Sequence, residues 1–148
     1  MYFVDRKKIE ELIHYLDSCL RTFEDESFSS SVKDAFALER IAHMIIETII
    51  DTGNKMIDGF IMRDPGSYED IIEILEDETV VTSEEAAGLK KVILLRKELV
   101  QSYTNLDHQN IEKVLTEHLK ELKVFPEKIQ RYLTEELGPV SAFLPENQ

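Results

Sequence analysis

The chain has 148 residues, with 30 acidic against 17 basic side chains and a net charge of −13. An apolar content of 43% supplies one real core, and no apolar run of about 18 residues exists to span a membrane. The acidic balance argues for solubility and against nonspecific binding to nucleic acid, which ordinarily takes a basic face, so any RNA-directed reading must overcome it.

The opening stretch, MYFVDRKKIEELI, places its charges after the first apolar residues and has no small-residue cleavage site, unlike a signal peptide. A single cysteine, Cys19, forms no internal disulfide and fits a reducing cytoplasm, where it reads as a half-buried small residue of the first helix.

Apolar spacing predicts helices throughout. Asp5 is the expected N-cap of the first, with Ile9, Leu12, Ile13, Leu16, Leu20 and Phe23 on its buried face. The acidic, serine-rich stretch EDESFSSS ends it. A long second helix runs from about Ser31 towards Gly59, with Leu38, Ile41, Ala42, Ile45, Ile49, Met56 and Ile57 along one side. Pro65-Gly66 stops the chain, and Ser67 caps a short third helix through Leu75, with Glu69 and Asp70 favourable in its first turn. Thr82 or Ser83 caps a fourth helix that carries Arg96, and Asp107 caps a fifth, which Pro126 kinks or splits. Gly138-Pro139 ends regular structure and leaves a short tail. The expectation is one all-α domain over residues 1–148, a bundle of about five helices.

On the second helix His43, Glu47, Asp51, Asn54 and Asp58 recur at spacings of four, four, three and four, which aligns them in one polar strip. Such a strip reads most simply as a solvated face. It also reads as the border of a cleft, with Asp51 and Asn54 as hydrogen-bonding groups. His43 and Glu47 have the i, i+4 spacing of a metal pair, but no further ligands stand at diagnostic spacing, so no metal or cofactor is expected. Ile46 and Ile50 flank the strip, and a second subunit is one way to cover them.

On the fourth helix Leu89, Val92, Ile93, Leu99, Val100 and Tyr103 form an apolar stripe, and Arg96 falls in its middle. A buried, unpaired guanidinium is very costly, so Arg96 must pair with a carboxylate such as Glu47 or Asp51, border a cleft, or lie between subunits. Arginine is equally suited to a forked contact with phosphate. Spacing alone leaves these readings open.

From about Leu38 to Leu106 the sequence resembles the HepT-like family of the HEPN superfamily, and within it the YutE-like branch. The stretch DTGNKMIDGFIMRDPGSYEDI carries the family's Pro-x-Ser-Tyr-x-Asp turn as Pro65, Ser67, Tyr68 and Asp70. The family's Arg-Asn-x-x-x-His-x-Tyr motif aligns onto Arg96 and Tyr103, with Leu89 and Val100 at its apolar positions. The resemblance implies an all-α homodimer whose active members cleave RNA without metal, using Arg and His of both subunits in a shared cleft. It also implies a partner, an MntA-like nucleotidyltransferase that silences the toxin by adding AMP to the motif tyrosine, here Tyr103.

This sequence departs from the motif at two positions: Lys97 stands for the Asn and Gln101 for the His. An amide orients water or binds a phosphate oxygen, but it moves no protons near neutral pH, a loss that typically costs about 10²–10⁴-fold in rate. On a straight helix Arg96 and Gln101 lie about 140° apart, so convergence takes a distorted helix end or a second protomer. Three expectations follow: a HepT-like ribonuclease toxin with an altered motif; a catalytically silent HEPN dimer that binds a nucleotide, an RNA end or a protein; or an all-α interaction module. The candidate site residues are Arg96, Gln101 and Tyr103, with Asp51, Asn54 and Lys97 lining the cleft.

Overall fold

A computed structural model describes residues 2–138. Seven helices occupy that range: α1 (Arg6–Asp25), α2 (Val32–Gly59), α3 (Tyr68–Asp77), α4 (Ser83–Ile93), α5 (Arg96–Gln101), α6 (His108–Glu117) and α7 (Leu119–Leu137). The all-α class is as expected, and the predicted fourth and fifth helices are each divided in two.

Helix starts follow local side-chain chemistry. Asp5, Ser31, Ser67, Thr82 and Asp107 each accept the N–H of the residue three positions on, at 3.0–3.1 Å. Glu85 returns the contact to the Thr82 N–H at 2.9 Å and completes a capping box. Each cap satisfies an amide that the helix cannot, and is worth about 1 kcal/mol.

α2 is the central element and packs against α1, α3, α5 and α6. Enclosure on several sides widens its apolar face beyond the single stripe of a surface helix. Ile46 and Ile50, which the sequence assigned to a flank available to a second subunit, are 0% and 3% exposed within one chain. They belong to the core. Cys19 is buried rather than half-buried.

The end of α2 separates two uses of glycine. Gly59 packs tightly against Val4, whose backbone Cα would stand 3.0 Å from any added Cβ. The left-handed position that glycine usually occupies is taken two residues later by Ile61, at φ 56°, while the Met62 N–H reaches back to the Ile57 carbonyl at 2.9 Å.

Between α4 and α5 the chain stays in the right-handed helical region, with Leu94 at φ −58° and Leu95 at φ −65°. The Leu95 N–H, however, donates to the Val92 carbonyl three residues back. This tightened step shifts the facing of everything after it. Leu95 turns inward and Leu94 outward, and Val100 and Tyr103, expected on the buried stripe, are 39% and 66% exposed.

The predicted fifth helix divides at His118, not at Pro126. Pro126 lies buried inside α7, where its missing N–H leaves the Leu122 carbonyl without its usual helical partner. Gly138 closes α7 at φ 84°. The tail beyond it lies outside the described residues.

Candidate functional site

The stripe that carries Arg96 faces α2, and the charge is answered there. Arg96 Nε donates to Glu47 Oε1 at 2.6 Å, so of the two carboxylates expected as partners Glu47 is the one used. The Tyr68 ring lies against the other side of the guanidinium, 4.4 Å from Cζ to the ring centroid. The Glu47 carboxylate raises the Arg96 pKa above its ordinary value, through the hydrogen bond first, against partial desolvation. Nη1 and Nη2 make no hydrogen bond among the described residues. The guanidinium is thus fixed through one nitrogen and one face, and its terminal fork is left open.

Tyr68 owes its position to a heavily braced turn. Arg63 meets Asp70 in a two-pronged pair, at 2.7 and 2.9 Å. Asp70 also accepts the Gly66 N–H at 2.8 Å, and Ser67 caps α3. These contacts hold the Asp70 carboxyl well below the usual carboxylate range, the Arg63 hydrogen bond contributing most. The Pro65-Gly66-Ser67-Tyr68 segment therefore presents its aromatic ring on a rigid support.

Arg96, Lys97 and Gln101 line one surface depression of about 410 Å³, with Tyr68, Glu69 and Leu94 around them. Lys97 and Gln101 lie about 40° apart on α5 and share its outward face. Arg96 borders the same depression from the inner side of the helix, where it also meets Glu47 of α2. Arg96 and Gln101 still lie about 140° apart on α5, yet both border the same depression within one chain.

Asp51, Asn54 and Tyr103 are not among the residues that line this depression. Asp51 is exposed on α2 one turn beyond Glu47. Its carboxyl pKa is raised by partial burial and by Glu47, against the pull of Lys8 and Lys55. Tyr103 sits in the turn after α5 with its ring in solvent, not on the buried stripe.

The sequence reading did not assign Tyr68 to the site, although the Tyr68 turn carried the family resemblance. Only the fold, which packs α3 against α4, brings the Tyr68 ring to Arg96 at the start of α5. Next to the depression, His43 Nε2 stands 3.5 Å from the same Glu47 oxygen, and His108 Nε2 is 2.7 Å from Glu39. Among the described residues, no group of three or more His, Cys, Asp or Glu side chains is placed to hold a metal ion.

Residues 9–129 match the family model described as Ribonuclease HepT-like. The chain is 51% identical over 143 residues to the Bacillus subtilis (strain 168) protein named "Putative RNase YutE", spanning 97% of this chain and 99% of that one. The solved structure of YutE from Bacillus subtilis, described as a cytosolic protein of unknown function, matches with a TM-score of 0.93 over 97% of this chain and 100% of that chain. A tri-AMPylated Shewanella oneidensis HEPN toxin in complex with MNT antitoxin, 22% identical, matches with a TM-score of 0.73 over 83% of this chain and 96% of that one, a likeness of fold. The chain belongs to the HepT-like ribonuclease family.

Proposed function

We propose that this protein binds RNA through a phosphate held by Arg96, as a homodimer in the cytoplasm, and that it holds the RNA without efficient cleavage. The observation that carries this reading is the open fork of Arg96. Nε is committed to Glu47 and one face to Tyr68, while Nη1 and Nη2 are left for an oxyanion beside Lys97. Arg96 would stabilise charge on the phosphate, and Lys97 would add a flexible second cation. The Gln101 amide donates to a phosphate oxygen but takes no proton from a ribose hydroxyl, so the acid–base half of a metal-free cleavage is missing.

A nucleotidyltransferase partner is supported separately by the placement of Tyr103. Its ring is 66% exposed in the turn that follows α5, within reach of another protein's active site. In such a transfer the Tyr103 hydroxyl attacks the α-phosphorus of ATP, a phosphodiester forms, pyrophosphate leaves and the phenolic proton passes to solvent. The added nucleotide would bring a bulky anion to the end of the helix that carries Arg96.

The binding reading is tested by fluorescence anisotropy with a labelled single-stranded oligoribonucleotide in the presence of EDTA. Arg96→Ala should weaken binding about 10-fold or more, the equivalent of a charged hydrogen-bond set worth about 1.5–3 kcal/mol. Its far-ultraviolet circular dichroism should be unchanged, because Glu47 is partly exposed and becomes hydrated when its partner is removed. Equal binding by both proteins, or loss of folding in the variant, overturns the reading in favour of a purely structural ion pair.

A further inference from the structure

We infer that Tyr68 is a stacking platform for an unpaired nucleobase next to the phosphate on Arg96. This deepens the proposed function and rests on it. The Arg96 guanidinium covers one face of the ring at 4.4 Å, yet Tyr68 remains 44% exposed, so the residue keeps surface open to a ligand. The ring lines the same depression as Arg96, Lys97 and Gln101, so a stacked base and a bound phosphate lie within one nucleotide's reach of each other.

The support beneath the ring strengthens the assignment. An exposed tyrosine on a loose loop loses conformational freedom when it stacks. Here the Arg63–Asp70 fork, the Gly66 N–H contact and the Ser67 cap have already fixed the turn. Every base has a π-face, so stacking on tyrosine tolerates sequence but demands that the base be free of its duplex partner. Gln101 lines the same depression, and its amide is chemically able to pair with a base edge as well as with a phosphate oxygen. Glu69 at the rim opposes a second phosphate, so the depression suits one phosphate and one base rather than a run of backbone.

The class recognised is therefore a single-stranded nucleotide flanking a phosphate, and Tyr68 sets the preference over paired RNA. Three probes of equal length test this: a single-stranded oligoribonucleotide, the same strand in a duplex, and a strand with abasic residues. Tyr68→Leu should weaken binding of the base-bearing single strand about 5- to 150-fold and weaken the abasic strand distinctly less, by no more than the lost support of Arg96, whereas Tyr68→Phe should bind the base-bearing strand like wild type. A 2-aminopurine in the single strand should be quenched by wild type and by Tyr68→Phe but not by Tyr68→Leu. Equal loss on base-bearing and abasic strands would mean that the ring acts only by holding Arg96, and would overturn the inference. So would duplex binding as tight as single-strand binding. Arg96-dependent RNA binding that Tyr68→Leu leaves intact also defeats it while sparing the proposed function, and absence of RNA binding in wild type defeats both.

Discussion

Arg96 resolves a tension that any charged residue on an apolar stripe creates. Glu47 and the Tyr68 ring remove most of the cost of partial burial without consuming the two terminal nitrogens. The same carboxylate lies 3.5 Å from His43, so one oxygen faces two cationic or potentially cationic neighbours. Tyr103 behaves differently. Its 66% exposure keeps it off the buried stripe and accessible to the proposed modification. Mass spectrometry of the protein co-expressed with a nucleotidyltransferase from its own host should show a Tyr103 peptide heavier by one adenylyl group. The peptide from cells without that enzyme should be unmodified, and unmodified peptides in both samples would refute the assignment.

At the level of the element, helix starts were legible and helix divisions were not. Asp5, Ser31, Ser67, Thr82 and Asp107 announce themselves because a cap is a contact across three residues. The step at Leu94-Leu95 and the division at His118 carry no glycine or proline, and the proline that is present, Pro126, is absorbed within α7. That unannounced step is also why the burial of Val100 and Tyr103 was misjudged, since each further residue inherits the shifted facing. Arg96 stood out on its apolar stripe, and Lys97 and Gln101 became site candidates through the resemblance to the family motif, whereas the Tyr68 turn carried the resemblance but its place beside Arg96 depends on α3 packing against α4. Ile61 offers a test of the element ends. A β-branched residue at φ 56° is strained, and its side chain is 71% exposed with little packing to lose. Ile61→Gly should stabilise the fold by about 1 kcal/mol, visible as a raised midpoint in urea with an unchanged slope. A lowered midpoint would show that Ile61 packs usefully after all.

Across the whole molecule, the net charge of −13 makes general attraction to nucleic acid unfavourable, so the proposed RNA recognition has to be local. The burial of Ile46 and Ile50 moves the proposed dimer surface elsewhere. Phe36 on α2, Leu94 at the α4–α5 step and Val100 on α5 are 64%, 58% and 39% exposed, and Phe36 shares a surface depression with Arg40, His43 and Leu99. The Phe36 depression brings α2 and α5 together, and its His43 stands 3.5 Å from the Glu47 oxygen that holds Arg96. Sedimentation equilibrium at micromolar concentration should give twice the chain mass of 17.2 kDa, and Phe36→Glu should shift the protein towards monomer. A wild-type monomer at that concentration would contradict a dimeric site.

In the proposed function Arg96 keeps the phosphate-binding half of a metal-free ribonuclease site, while Gln101 lacks the proton-transfer half. Single-turnover incubation of labelled RNA in EDTA, with wild type, Gln101→His and the double variant Gln101→His/Arg96→Ala, tests it most directly. Wild type should leave the RNA bound and intact. Gln101→His should cleave it about 10²–10⁴-fold faster, with activity rising as the imidazole titrates near neutral pH, and the double variant should lose that gain. Arg96-dependent cleavage by wild type at the rate of Gln101→His would contradict it.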